Sequence, residues 1–288
     1  MRELAALILS LCLLSGCGDR EGPPSGTAGS PPPASAPAVS APLPTGQQEA
    51  LSLRIVDGAE EGDLLLADLE GSGVYRLSVP EDVPLTVDGA EAAPTALADG
   101  MTLTVTFDGM VQESWPAGFG QVYALDASSP AGGSYTDLCG FYLQVLDDLW
   151  NVDTGLNGTQ AAIDLSQAPG GLSQGEQAAI ALRFGELHGV EAWNATYEEL
   201  LEGGYITAEP LGEGARSGAA FYRWEDGCLL TISPHETEED EAWSLPVLRF
   251  DADKWASSLG AYSFYDCTAV WPEVGTWSGY QVGSEMIS

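Results

Sequence analysis

The sequence predicts an α+β protein, a small antiparallel β-barrel followed by a domain of helices packed on an antiparallel sheet. Three observations carry this. Short runs of alternating apolar and polar residues, punctuated by Asp-Gly pairs, fill residues 51–127. Three capping-type helix starts follow in the segment 134–288. From Ala219 onward the pattern returns to strand-like runs, and helices first with strands afterwards is the order of an α+β domain. At 288 residues and 44% hydrophobic, the chain can bury a sizeable core in one or two domains.

The first stretch is an address. Residues 1–16 have a charged start at Arg2, an apolar core from Leu4 to Leu14, and small residues before Cys17. This is a signal-peptide pattern, and its core is too short to span about 30 Å of hydrocarbon. Leu14-Ser15-Gly16-Cys17 reads as a lipobox, so Cys17 is the expected lipidation site. Two acyl chains, at about 0.8 kcal/mol per buried CH₂, give a stable anchor. Residues 17–50 carry Pro23, Pro24, Pro31, Pro32, Pro33, Pro37, Pro42 and Pro44 among Gly, Ser, Ala and Thr, which predicts a disordered tether.

Within residues 51–127 the clearest strand is Met101 to Phe107, where apolar residues alternate strictly with threonine. Leu64 to Ala67, Val74 to Val79 and Val83 to Val87 are further strands, and Ala92 to Leu97 is one helical turn. Asp57-Gly58, Asp88-Gly89, Asp99-Gly100 and Asp108-Gly109 are turns. The stretch Asp108-Gly109-Met110-Val111-Gln112-Glu113-Ser114-Trp115-Pro116-Ala117 resembles the end of a small OB-like domain of unknown function found in Gram-positive lipoproteins. That resemblance implies a barrel and an extracytoplasmic setting, and transfers no activity. An OB barrel that binds nucleic acid uses a basic face, and only Arg54 and Arg76 are basic here.

The second half opens with Ser134-x-x-Asp137 and the apolar face Leu138, Tyr142, Val145, Leu146 and Leu149. Ser173-x-x-Glu176 starts a second helix, with Ile180, Phe184 and Leu187 inward and Gly189 as its stop. Thr196-x-x-Glu199 starts a third, ended by Gly203-Gly204. Phe221 to Trp224 and Cys228 to Ser233 flank Asp226-Gly227 as a hairpin, and Leu245 to Phe250, Ala261 to Trp271 and Thr276 to Val282 extend an antiparallel sheet. The segment Lys254 to Ala261, with Trp277 and the ending Gly283 to Ser288, resembles the C-terminal module of uncharacterised clostridial-type lipoproteins. It implies the same compartment and no assigned chemistry.

The net charge is −34, and cutting before Cys17 removes only Arg2 and Glu3, so it stays −34. Such a surface repels nucleic acid and attracts cations and basic peptides. After Cys17 the cysteines are Cys139, Cys228 and Cys267. A Cys228–Cys267 disulfide and three small buried apolar residues are both open readings.

Candidate chemistry is sparse. Residues 153–164 fit a twelve-residue calcium loop at Asp153, Asn157, Gly158 and Asp164, but Gly155 replaces the second carboxylate, so an ordinary polar loop is the better reading. His235-Glu236-Thr237-Glu238-Glu239 begins like a zinc motif without its second histidine, and the acidic run through Glu241 reads as a solvated loop. His188 falls in the last turn of a helix, where it complements the macrodipole, and a Cys139/His188 nucleophile pair lacks an orienting third residue. Trp271, Trp277 and Tyr280 could form a ligand surface, although aromatic residues in antiparallel strands more often build core. No phosphate-binding glycine loop occurs, so no cofactor is expected. The sequence thus predicts a membrane-anchored lipoprotein on the extracytoplasmic face, acting as a binding or adaptor module for an envelope protein, basic peptide or glycan. A cell-wall glycan or peptide hydrolase using carboxylates is the alternative.

Overall fold

The computed structural model describes residues 48–129, 138–211, 219–236, 247–270, 277 and 279–288. Cys17 and the tether, the Ser134-x-x-Asp137 start, the acidic run from Glu238 to Glu241 and Trp271 lie outside the described residues. Residues Thr45–Ser288 cluster as one unit.

The first sheet contains β1 (Glu49–Asp57), β2 (Asp63–Asp68), β3 (Val74–Ser78), β4 (Leu85–Val87), β5 (Ala90–Glu91), β6 (Thr102–Phe107), β7 (Val111–Gln112), β8 (Ala117–Phe119) and β9 (Val122–Ser128). Their order is β5-β4-β9-β6-β1-β2-β3-β8-β7. The alternation in β6 works as predicted, with Leu103, Val105 and Phe107 buried and the threonines on the other face. The Asp-Gly turns place Gly58, Gly89, Gly100 and Gly109 at positive φ. The barrel expectation is corrected, because among the described residues no pairing joins the edges β5 and β7. The two- and three-residue strands at the edges, and the parallel β3–β8 and β4–β9 pairs, extend an open mixed sheet instead of closing it.

The second sheet holds β10 (Gln160–Asp164), β11 (Glu191–Asn194), β12 (Thr207–Pro210), β13 (Ala220–Arg223), β14 (Gly227–Pro234), β15 (Val247–Ser257), β16 (Gly260–Val270) and β17 (Ser284–Ile287). Among the described residues three α-helices accompany it, α1 (Cys139–Asn151), α2 (Gln174–His188) and α3 (Tyr197–Glu202). The architecture is broadly α+β, but this sheet is mixed: β10 runs parallel to both β11 and β14. The expected β13–β14 hairpin is also absent among the described residues, since both strands pair with β15. The buried Trp224 indole lies over Gly227, where a Cβ would meet the ring at 2.2 Å, and the Trp224 backbone N–H donates to the Ala256 carbonyl of β15 (2.8 Å).

The predicted faces of α1 and α2 are buried, except that Leu187 is exposed. Ser173–Glu176 and Thr196–Glu199 are reciprocal capping boxes, and Gly189 ends α2 in the left-handed conformation. The helices do not pack on the second sheet alone. Val56, Leu65, Ala67 and Val74 of the first sheet join Tyr142, Phe184, Leu230 and Phe250 in one apolar cluster. At this junction Gly175 N–H donates to the Gly71 carbonyl (2.8 Å) and Ser173 Oγ to the Asp68 carbonyl (2.6 Å). Arg54 of β1 and Glu176 of α2 form a buried ion pair at 3.2 Å.

Candidate functional site

The parallel strands β10 and β11 set up the most distinctive crevice. The chain leaving β10 becomes α2, whose Ile180 and Phe184 pack with Ala161 and Ile163 on one face of the sheet. The chain leaving β11 becomes α3, whose Leu200 packs with Ala162 and Leu229 on the opposite face. Connections that diverge to opposite faces leave a gap at the carboxyl ends of the strands, the general position of ligand sites in open sheets with parallel strands. Here the gap has a volume of ≈ 360 Å³ and is lined by Asp164 and Asn194 at the strand ends, Ser166, Gln174, Gln177, Thr196, Glu199, and Ser72 from the β2–β3 turn.

Several lining groups are committed to local structure. Asp164 Oδ1 accepts from Ser166 N–H (3.0 Å), and Glu199 Oε2 accepts from Thr196 N–H (2.8 Å). Gln177 Nε2 donates to the Leu172 carbonyl (3.2 Å). The carboxamides of Asn194 and Gln174 and the hydroxyls of Ser72 and Ser166 have no hydrogen-bond partner among the described residues. The crevice therefore offers both donors and acceptors, two carboxylates and no cation.

Comparison with known family models, curated proteins and solved structures found no match.

The sequence candidates are distributed differently from the expectation. Residues Gln160–Asp164 are strand β10, so the twelve-residue loop does not close on itself, and Asp164 points to the crevice end of the strand. The oxygen-rich turn before it does hold a cation, but that cation is the protein's own. The fully buried Lys254 Nζ shares its three N–H donors among the carbonyls of Trp150 (3.3 Å), Val152 and Asp153 (3.2 Å) and Asn157 Oδ1 (2.9 Å). Burial lowers the Lys254 pKa, opposed by the nearby Cys228 thiol and by Asp153.

All three described cysteines are buried, and Cys228 and Cys267 are free thiols. A Cys228–Cys267 bridge is excluded by register: β15 separates β14 from β16, placing the two strands about 9.5 Å apart, beyond the roughly 7 Å Cα reach of a disulfide. Burial pushes the Cys228 thiol up to about 11 and that of Cys267 up to about 12. Cys139 and His188 do not meet either. Cys139 Sγ lies 3.9 Å from Glu176 Oε1 at the start of α2, whereas His188 packs at its far end on Phe184 and Trp150. About 18 Å of helix separates them. His188 Nε2 is 3.3 Å from Asp147 Oδ1 but outside hydrogen-bond geometry, and burial lowers its pKa.

His235 lies on the outer face of the second sheet, not in a zinc helix. Its Nδ1 is 2.8 Å from Asp251 Oδ1, and its Nε2 is 3.7 Å from Asp266, which accepts from Arg249 Nε (2.7 Å). Asp266 sits at φ 54° in a bulge of β16, held by its N–H donating to Asp251 Oδ1 (2.8 Å). No group of three or more His, Cys, Asp or Glu among the described residues could hold a metal ion.

The aromatic ligand surface is corrected in part. Trp277 is 5% exposed and belongs to the core, 5.8 Å from Phe141 between ring centroids. Tyr280 instead lines a second cleft of ≈ 480 Å³, between α1 and the C-terminal strand. Its hydroxyl donates to Asp148 Oδ2 (3.0 Å), and burial together with that carboxylate raises its pKa well above the usual tyrosine value.

Sequence reasoning missed the first crevice. A usable signal was present: two short apolar runs, Ala161 to Asp164 and Ala192 to Asn194, each end in an acid or amide shortly before a capping box.

Proposed function

We propose that the protein is an extracytoplasmic lipoprotein, tethered through Cys17, that binds a polar, uncharged ligand such as a glycan fragment in the crevice between α2 and α3. The lipobox Leu14-Ser15-Gly16-Cys17 supports the location. One observation carries the binding reading: the carboxamides of Asn194, at the end of β11, and Gln174, at the start of α2, line the crevice with no hydrogen-bond partner among the described residues. Sugar hydroxyls both donate and accept, as this lining does. Phosphates and other anions are disfavoured by Asp164 and Glu199 and by the net charge of −34. Asp164 and Glu199 already accept local backbone N–H groups, which suits them to shaping the crevice more than to the proton transfers of a wall hydrolase.

Two experiments test this. Titration with soluble cell-wall glycan fragments, followed by amide chemical shifts, should move signals near Asp164, Asn194 and Gln174. Asn194→Ala or Gln174→Ala should weaken binding about fivefold each, the worth of one hydrogen bond. Unchanged affinity in both variants would overturn the site, and release of new reducing ends would turn the reading to a hydrolase. For the anchor, Cys17→Ala should move the protein from the membrane fraction to the soluble fraction. Retention through detergent-free washes would sink that part alone.

A further inference from the structure

We infer that the crevice between α2 and α3 selects the acetamido group of an N-acetylated amino sugar over a plain sugar. This rests on the reading of the crevice as a glycan site and adds what that site selects. Hydrogen-bonding groups alone do not select, because hydroxyls and acetamido groups both donate and accept. The selection comes from the methyl groups that stand beside them.

Each wall pairs a carboxamide with a methyl. On α2, Gln174 and Ala178 are four residues apart and share one helix face. On the other wall, Asn194 ends β11 and Ala195 follows it. Ala178 packs against the apolar cluster on one face of the second sheet and Ala195 against the cluster on the opposite face. Both alanines are half-buried and line the same gap, so small apolar edges of the two clusters reach it together. No aromatic ring stands among the described lining residues, although aromatic rings are a usual source of apolar contact in a ligand site. A plain sugar presents hydroxyls around its rim and finds little with which to cover these methyls. An acetamido group is a planar amide ending in one methyl, which complements an amide beside a methyl on either wall. Burying that methyl and gaining one hydrogen bond should favour the acetylated sugar about tenfold. Asp164 and Glu199 also line the crevice and disfavour a sugar that carries a carboxylate, so the ligand is the neutral N-acetylated form.

The test titrates the folded protein with cellobiose, its 2-amino analogue and its 2-acetamido analogue, which differ only in the group beside the ring. Amide shifts near Asp164, Gln174 and Asn194 report binding. The acetamido form should bind about tenfold tighter than cellobiose. Ala178→Ser with Ala195→Ser keeps the walls in place and puts hydroxyls where the methyls stood, and should reduce that ratio to about twofold. The ratio is the readout, so a general loss of stability cannot mimic the effect. Equal binding of cellobiose and the acetamido form would overturn this inference and leave the glycan reading standing. Tightest binding of the protonated amino form would replace it with charge recognition by Asp164 and Glu199. Equally tight binding of N-acetylalanine methylamide would make the crevice a peptide site and overturn both readings. No shift with any of the three sugars would also overturn both.

Discussion

At the scale of single residues, Lys254 stands out as a full charge with no exposure, stabilised by four oxygens from the end of α1 and the loop that follows it. Buried charges persist only when their hydrogen-bonding capacity is satisfied, and removing one side leaves the other uncompensated. Lys254→Met keeps the stem and removes the ammonium, leaving the Trp150, Val152 and Asp153 carbonyls and Asn157 without that donor. We expect a loss of about 3 kcal/mol in urea denaturation; a loss below about 1 kcal/mol would mean that water replaces the ammonium. Gly175 poses the opposite kind of constraint. A Cβ there would lie 2.5 Å from the Asp68 carbonyl oxygen and 2.7 Å from its nitrogen. Alanine is the better helix former by about 1 kcal/mol, so propensity alone predicts that Gly175→Ala stabilises α2. The close approach predicts a destabilisation of about 2 kcal/mol instead. The sign of the change in melting temperature separates the two.

At the scale of elements, the two capping boxes were legible in sequence and are formed, but they do not carry equal weight. Ser173 accepts from Glu176 N–H (3.0 Å) and its hydroxyl also donates to the Asp68 carbonyl of the first sheet, while Thr196 has only its own helix to cap. Ser173→Ala should therefore cost about 2 kcal/mol and Thr196→Ala about 1 kcal/mol or less, compared by chemical denaturation. Equal losses would mean that the tie between α2 and the first sheet adds nothing. The illegible elements share a physical cause. Strand β10 is built from small residues, Ala161 and Ala162 with Ile163, whose weak intrinsic strand preference is overridden by burial on both faces. Strand β13 was legible as a strand, but its partner was not, because it pairs with β15, where Arg223 meets Ser257 from a distant segment of the chain.

At the scale of the whole molecule, stability should depend on pH through several buried groups. Cys228, Cys267, Tyr142 and Tyr280 all have raised pKa values, chiefly from burial. A raised value means that the folded state keeps a proton that the unfolded state releases. Their contribution is complete below the ordinary thiol value of 9.0 and is lost as pH rises beyond it. Lys254 acts in the opposite sense, since its lowered value makes folding more favourable as pH approaches its ordinary 10.5. Four groups oppose one, so the melting temperature should fall from pH 8.5 to pH 10.5. Cys267→Ala should flatten that fall and Lys254→Met should steepen it. A flat profile in the unsubstituted protein would contradict the burial assignments. On the acid side, His188 is held neutral by burial, so stability should decline as pH drops below its ordinary 6.5.

Local spacing along the chain is enough for the periodic and the chemical-address features: the alternating strand β6, the apolar faces of α1 and α2, the caps at Ser173 and Thr196, and the lipobox expectation at Cys17. Each depends on residues within one or two turns of one another, so spacing is enough to reveal it. Tertiary structure decided everything that requires distant segments to meet. It opened the first sheet, turned the Asp153–Asn157 oxygens onto Lys254, separated Cys228 from Cys267 by an intervening strand, and buried Trp277. It also gathered Ser72, Asp164, Gln174 and Asn194 into one crevice, because α2 and α3 leave adjacent parallel strands on opposite faces of the sheet. Pairing partners and the faces that connections take are non-local choices made by the packing of the whole core, and no local pattern encodes them.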